Sequence, residues 1–235
     1  MSYYNGPRTV TDNLVFYIDA GNPKSYPGSG STIYDLTEKG YNGSFQGSAA
    51  YSNGAIQCRY ATQGWIYASF NEGVLKSDNT TGKWSYEVFF KNISAPNSAE
   101  SFLIGRAGCH GGIYTYPNGS NTDVYHAIKT GSCWTGAVNY AIKTLAPNDI
   151  CHSIMTYNNG VVKSYINGLY VGTDTLNYAT YGMTGYDNTI YIGGFGNTTY
   201  YSNNCDIYIA KAYNRDLTAG EILQNYNAVR GRYNL

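Results

Sequence analysis

Carboxylate side chains can cleave a glycosidic bond when two of them are suitably spaced. A retaining glycosidase needs its two carboxyl groups about 5–5.5 Å apart, and residues i and i+2 of a strand lie on one face. The chain has no Glu-x-Asp-x-Glu spacing. Glu87, which follows Trp84 and Tyr86 in a strong strand pattern, is either a lone general acid or a solvent-facing strand residue. The spacing of the acidic residues therefore argues against a glycan hydrolase.

Cysteine and histidine are the next candidates, as ligands for zinc. Cys109-His110 and Cys151-His152 could combine with Cys133, but their spacings match no zinc finger or zinc ribbon. No Gly-x-Ser-x-Gly motif marks a nucleophile, and the three histidines lie in unrelated contexts. We therefore predict that the protein is not an enzyme.

Oxygen donors near predicted strand ends leave calcium as the remaining cofactor candidate. Asp19 and Asn22 follow one predicted strand, and Asp187 and Asn188 precede another. Calcium takes six to eight oxygen ligands, usually from a denser acidic loop than this chain has. The alternative is that these residues form turns, which Asp and Asn favour. We expect no bound metal, with Asp19 and Asp187 as the candidates if calcium binds.

Two tyrosine-rich loops offer surface chemistry instead. Tyrosine rings can stack on sugar faces, and Asn and Thr can hydrogen-bond to hydroxyl groups, but the same residues also form protein interfaces. Ordinary loops with packed tyrosines are the third interpretation. The candidate residues for contact with a glycan or a partner are Tyr178, Tyr181, Tyr186, Tyr200, Tyr201 and Asn203.

The elements that must position these residues are short strands. Residues 155–173 contain two Asn-Gly turns, at 159–160 and 167–168, which allow the positive backbone angles of tight hairpins. The segments between the turns are rich in Tyr, Val and Ile, so they predict an antiparallel meander. Similar short patterns recur along the chain, which favours an all-β fold of two antiparallel sheets. One α-helix is predicted near the C-terminus, where Thr218 and Glu221 form a capping box.

Composition narrows the classes of partner. Fifteen basic residues balance fifteen acidic ones, so no net charge favours nucleic acid or an anionic membrane. No apolar stretch approaches the roughly 20 residues of a membrane span. The odd number of cysteines, five, suits reduced thiols. The N-terminus shows no standard secretory signal, so we expect synthesis in the cytoplasm. We predict an arm at residues 1–12 and one sandwich domain at residues 13–235.

The chain has the segments NLVFYIDAGNPKSYPGSG at residues 13–30, AYNRDLTAGEI at 212–222 and NYNAVRGRY at 225–233. In this order they resemble the opening and the close of the laminin-G-like, concanavalin A-like domains of tailed-phage structural proteins. Shorter matching segments lie between them in the same order: 34–36, 41–43, 103–106, 164–168 and 190–194. At residues 56–66 the chain lacks the acidic residues that many relatives carry after the second strand block. The resemblance implies a two-sheet jelly-roll sandwich.

The resemblance also implies that the protein is located on the surface of a bacteriophage virion. Our main expectation is a non-enzymatic capsid decoration or accessory structural protein that acts through contacts with other virion proteins. The alternative is a glycan-binding adhesin of tail, neck or capsid that contacts host surface polysaccharide. The arm, with Tyr3, Tyr4 and Arg8, is the candidate anchor, because an extended segment can add to a neighbour's sheet. The sequence leaves the oligomeric state open.

Overall fold

The structure, a computed structural model, describes residues 7–59, 61, 63–69, 82–96, 101–106, 111–128, 140–175, 189–195, 203–233 and 235. Within these ranges the chain forms short antiparallel strands and one α-helix, Ala219–Val229, called α1. The strands are β1 (Leu14–Asp19), β2 (Thr32–Ile33), β3 (Gly43–Gln46), β4 (Ala50–Ser52), β5 (Ala55–Cys58), β6 (Trp65–Ser69), β7 (Lys83–Asn92), β8 (Ser101–Arg106), β9 (Gly111–Asn118), β10 (Asn121–Ile128), β11 (Tyr140–Leu145), β12 (Ile150–Asn158), β13 (Val161–Ile166), β14 (Leu169–Thr175), β15 (Thr189–Ile192) and β16 (Cys205–Tyr213).

The strands make two sheets of eight. The first sheet has the order β14-β13-β12-β7-β16-β5-β4, and β1 pairs with the other half of β16. The second sheet has the order β11-β10-β9-β8-β15-β6-β3-β2. Strands that are distant in sequence are neighbours in both sheets, as in a jelly roll. The predicted all-β, two-sheet antiparallel sandwich with a C-terminal helix is therefore confirmed.

The predicted turns and helix cap have the expected geometry. Asn159 and Gly160, and then Asn167 and Gly168, all adopt positive φ angles between 46° and 88°, as tight hairpins of this type require. Thr218 accepts a hydrogen bond from the backbone N–H of Glu221, and the Glu221 side chain accepts one from the Thr218 N–H. The sequence pattern missed β2 and β4, because strands of two or three residues exist through pairing with their neighbours.

The core lies between the sheets. Along β7, alternate residues point inward, so Trp84, Tyr86, Val88 and Phe90 all belong to the main hydrophobic cluster. Among the described residues, four tyrosines are at most 1% exposed: Tyr86, Tyr114, Tyr157 and Tyr213.

One buried histidine links the two sheets. His126 of β10 lies 2.7 Å from the Ser153 hydroxyl of β12 and 2.9 Å from the Ser164 hydroxyl of β13. Burial lowers its pKa from 6.5 to about 3, because the charged imidazolium would lose its hydration. The folded state therefore holds His126 neutral.

This histidine should make stability depend on pH. Its folded pKa is below its unfolded value, so its contribution is complete above pH 6.5 and declines as pH falls toward about 3. We expect the free energy of unfolding, from urea titrations, to decline between pH 6.5 and 4.5 with a slope of up to about 1.4 kcal/mol per pH unit. His126→Gln should flatten this slope even if it lowers stability overall. An unchanged slope in the variant would show that other groups titrate in this window.

Candidate functional site

The outer face of the second sheet carries a group of aromatic side chains. Along β6, Ile66 and Ala68 point into the core, so Trp65 and Tyr67 point outward. On the neighbouring strand β15, the same alternation places Tyr191 outward. Tyr67 and Tyr191 are directly opposed cross-strand partners.

Four of these rings, Trp65, Tyr67, Tyr191 and Phe195, contact one another and are called the aromatic face. The ring centre of Tyr191 lies 5.3 Å from Trp65, 5.9 Å from Tyr67 and 4.7 Å from Phe195. Phe195 continues the contact to Phe102, at 5.5 Å. Tyr67, Tyr191 and Phe195 are each half-buried, so part of each ring faces solvent. Such edge-to-face and tilted contacts hold the rings in fixed orientations.

Polar groups accompany these rings. The indole N–H of Trp65 is buried and has no hydrogen-bond partner among the described residues. The Tyr67 hydroxyl accepts a hydrogen bond of 2.7 Å from Ser69, so its own proton remains available to donate. The aromatic face therefore combines flat apolar surface with one accessible hydrogen-bond donor, the Tyr67 hydroxyl. This combination suits a ligand with C–H faces and hydroxyl groups.

The outer face of the first sheet is different, because α1 covers a buried charged cluster there. Glu87 accepts hydrogen bonds from Lys211 (2.8 Å), His152 (3.0 Å) and the Asn225 side chain (2.7 Å). All four side chains are completely buried. The expectation that Glu87 faces solvent is wrong, because α1 places Asn225 directly over the sheet. We call these four residues the Glu87 cluster.

The Glu87 cluster has the electrostatics of a structural ion pair. Burial by itself raises the Glu87 pKa, but the nearby Lys211 ammonium and the hydrogen bonds from His152 and Lys211 outweigh it and lower the pKa to about 2. A general acid must be protonated near the working pH and must reach the substrate. Glu87 is ionised and enclosed, so the alternative role of a lone general acid is wrong as well.

The start of the chain is tied to this cluster. Thr9 accepts a hydrogen bond of 2.6 Å from Lys211, and the backbone N–H of Val10 donates to Asn225 at 2.7 Å. Val10 is buried in a small apolar cluster beside α1. Residues 9 and 10 of the predicted arm therefore pack on their own domain. The Arg8 side chain is exposed, and Tyr3 and Tyr4 lie outside the described residues, so the anchoring role stays a prediction.

The other predicted contact residues have mixed outcomes. Asn203 is 1% exposed, and its side chain donates to the Thr115 hydroxyl at 2.9 Å. It therefore supports the sheet internally, and its assignment as a surface contact is corrected. The remaining loop residues lie outside the described part of the chain: Tyr178, Tyr181, Tyr186, Tyr200 and Tyr201.

Of the two calcium candidates, Asp19 and Asp187, the structure describes Asp19. Both carboxylate oxygens of Asp19 accept hydrogen bonds from Arg232, at 2.6 and 2.9 Å, and Asp19 is 3% exposed. A carboxylate engaged in this way has no place for calcium, so Asp19 is corrected to an ion-pair residue. Asp187 lies outside the described residues. In the described part of the chain, no group of three His, Cys, Asp or Glu side chains could hold a metal ion.

Of the zinc candidates, the structure describes Cys151 and His152. Cys151 is buried as a free thiol, and burial raises its pKa to about 12. The ring of its neighbour His152 belongs to the Glu87 cluster. Cys109, His110 and Cys133 lie outside the described residues. No helix in the described ranges has the length and apolar character needed to cross a membrane.

Comparisons with known proteins give the family. A laminin-G-like family model, described as concanavalin A-like lectin/glucanases superfamily, matches residues 62–223. The chain belongs to this superfamily. No sequence among the curated proteins matches it. The residue resemblance to concanavalin A-like, laminin-G-like domains is thus confirmed at the level of the superfamily.

Solved structures of similar fold include botulinum neurotoxin structures. One structure concerns botulinum neurotoxin type C and its interaction with two ganglioside molecules. It is 15% identical to this chain with a TM-score of 0.67, and the match covers 93% of this chain and 51% of that chain. Another is the binding domain of botulinum neurotoxin DC in complex with rat synaptotagmin II, with 13% identity and a TM-score of 0.66, over 93% of this chain and 52% of that chain. The chain thus spans about half the length of these structures, and at this identity the likeness shows the fold.

The aromatic face is the functional candidate that sequence reasoning missed. Its signal was present as alternation, with Trp65 and Tyr67 flanking Ile66 in β6, and Tyr191 between two isoleucines in β15. The pairing of β6 with β15 joins residues that are more than 100 positions apart. The aromatic residues of β6 and β15 form one surface only because these two strands pair.

The Glu87 cluster yields a stability prediction. Glu87→Gln should lower the free energy of unfolding by roughly 3–5 kcal/mol, because it leaves the Lys211 ammonium buried without its counter-charge. Urea denaturation followed by circular dichroism measures this loss. The matched double variant Glu87→Leu with Lys211→Met removes both charges and should recover part of it. If Glu87→Gln changes stability by less than about 1 kcal/mol, the ion pair does not hold α1 in place.

Proposed function

We propose that this domain is a non-catalytic carbohydrate-binding module and that the aromatic face is its binding surface. The observation that carries the proposal is the contact of Trp65, Tyr67, Tyr191 and Phe195 on one outer sheet face. Aromatic rings present flat apolar area, and the polar tips of tyrosines add hydrogen bonds. A pyranose ring offers the complement, with C–H groups on its faces and hydroxyl groups around its edge.

Binding is favoured over cleavage by the positions of the acidic residues. Glycoside hydrolysis needs two accessible carboxyl groups at a defined separation. Glu87 is buried in an ion pair, and Glu221 caps α1 while Arg215 binds its carboxylate. Neither residue lies on the aromatic face.

The comparisons also support carbohydrate binding as the proposed function. The superfamily is named for lectins as well as glucanases, and one structure of similar fold concerns a toxin that interacts with two ganglioside molecules. These facts concern other proteins, so for this chain they support a proposal about ligand class. They favour the glycan-binding alternative over our main expectation of a capsid decoration.

We further propose a setting, an adhesin on the tail, neck or capsid of a phage virion. This rests on the ordered resemblance of residues 13–30 and 212–222 to tailed-phage structural proteins. In this setting the domain holds the particle at host surface polysaccharide. An antibody against the domain should label intact particles in negative-stain electron microscopy. Labelling confined to free protein would contradict the setting.

Accessory structural protein remains the second candidate, favoured by the edge strand β14. Leu169, Tyr170 and Val171 are 67%, 56% and 44% exposed, an unusual run of apolar side chains at a sheet edge. Such an edge suits contact with another virion protein. This surface lies on the first sheet, whereas the aromatic face lies on the second, so variants can separate the two functions.

The carbohydrate proposal has a direct test. The purified protein should bind a subset of bacterial polysaccharides on a glycan array. The double variant Tyr67→Ala with Tyr191→Ala should weaken that binding by at least about tenfold, because central aromatic contacts dominate binding energy. The matched control Tyr170→Ala, on the opposite sheet, should leave it unchanged. Circular dichroism should confirm that both variants are folded.

Two outcomes would contradict this function. The first is an array without hits for folded protein. The second is equal loss of binding in the Tyr170→Ala control, which would move the contact surface to β14. If Tyr170→Ala instead lowers occupancy on virions while glycan binding is retained, the accessory role of β14 is supported.

A further inference from the structure

A groove on the first sheet is lined by residues that belong neither to the aromatic face nor to the Glu87 cluster. It has a volume of about 310 Å³ and lies between the β12–β13 hairpin and the residues that precede α1. Small-molecule sites have volumes of about 300–1,000 Å³, so this groove has room for one sugar ring. We call it the hairpin groove, and its lining includes Thr156, Asn158, Val161, Lys163, Asp216 and Leu217.

The hairpin groove is preformed by strand pairing. Thr156 is the cross-strand partner of Lys163, and Asn158 is the partner of Val161, so these four side chains share the outer face of the hairpin. Leu217 on the opposite wall is 4% exposed, and its backbone N–H donates to the Ser85 hydroxyl at 3.0 Å. A ligand would therefore find an apolar side chain, Leu217, held in a fixed position beside polar side chains.

Asp216 supplies an oriented hydrogen-bond acceptor. One carboxylate oxygen accepts a bond of 2.7 Å from the Asn158 side chain, and the other lies 3.8 Å from the Lys83 ammonium. The side chain remains 34% exposed, so its oxygens can accept further hydrogen bonds from ligand hydroxyl groups. Lys83 also offsets the negative charge of Asp216.

Lys163 supplies an uncompensated positive charge. Its side chain is exposed on β13, and it forms no ion pair with the acidic residues in the described ranges. Since Lys83 offsets the charge of Asp216, Lys163 is the charged lining residue that has no opposite charge paired with it among the described residues. A ligand with one negative charge is therefore favoured over a neutral one.

We propose that the hairpin groove binds a pyranose sugar residue that carries a carboxylate. In this arrangement Lys163 binds the carboxylate, Asp216 accepts hydrogen bonds from ring hydroxyl groups, and Val161 with Leu217 contacts the apolar edge of the ring. Thr156 can donate to the ligand or accept from it. The hairpin groove is thus a second binding site, which recognises acidic sugar residues of a polysaccharide.

This inference goes beyond the proposed function and does not depend on the aromatic face. The groove and the aromatic face lie on different sheets, so each can fail while the other stands. Loss of binding in the Tyr67 and Tyr191 variants concerns the aromatic face, whereas the test below concerns the groove.

Matched pairs of monosaccharides test the inference on the full chain. Methyl β-D-glucuronide and methyl β-D-glucoside differ only in the carboxylate, as do the corresponding galacturonide and galactoside. Two-dimensional NMR of the isotope-labelled protein should show shifts at the amides of residues 156–163 and 216–217. At least one of the uronides should bind about two- to fivefold more tightly than its neutral partner, the gain expected of an exposed ion pair. Salt should reduce this preference.

Variants assign the roles within the groove. Lys163→Met keeps the aliphatic stem but removes the charge, so it should abolish the preference for the uronide, and Lys163→Arg should retain it. Asp216→Asn should weaken binding of the neutral sugar, because it removes an acceptor, and should raise the preference for the uronide, because it leaves the Lys83 ammonium unpaired. The matched control Lys24→Met, at an exposed lysine elsewhere, should change nothing.

Three results would overturn the inference. Equal binding of uronides and neutral sugars would remove the role of Lys163. Shifts confined to residues 65–67 and 191–195 would place every sugar at the aromatic face. Absence of shifts with all four sugars would show that the groove holds no such ligand.

Discussion

Neutralisation of one buried carboxylate organises the first sheet of this protein. Glu87 lies in the centre of that sheet, where an isolated charge would be strongly unfavourable. Lys211 from the neighbouring strand provides the counter-charge, and Asn225 from α1 satisfies the other oxygen. Because Asn225 also accepts the backbone N–H of Val10, one carboxylate ties together the sheet, the C-terminal helix and the start of the chain. The helix must therefore remain on this face.

This arrangement makes the two outer faces of the sandwich unequal. α1 and residues 9–10 occupy the middle of the first sheet, so its accessible surfaces lie at the periphery, in the hairpin groove and along β14. The second sheet has no described helix on its outer face, and there the aromatic residues of β6 and β15 meet. We therefore expect ligands to contact side chains that do not pack in the core or form buried ion pairs. The Glu87 cluster illustrates the opposite case, since titratable groups inside it serve stability.

Sequence reasoning was accurate where the signal was local. The Asn-Gly turns, the alternation of β7 and the capping box at Thr218 each depend on residues within one element, and the structure contains all of them. It failed for Glu87, which the strand pattern allowed to face solvent. It also failed for Asp19 and Asn203, whose polar side chains resemble exposed turn residues. Their partners Arg232 and Thr115 lie 213 and 88 positions away, beyond the reach of any local pattern.

The amino-acid sequence by itself determined the longer strands, the Asn-Gly turns between them and which alternate residues share a face, but not the short strands β2 and β4. It also carried the ordered motifs of the concanavalin A-like superfamily. Tertiary structure alone decided which of the two outer faces α1 covers, that Tyr67 meets Tyr191, and that Lys163 and Asp216 border one groove. The physical reason is that alternation specifies two faces but does not say what packs on either. That choice is made by long-range pairing and by the need to neutralise Glu87.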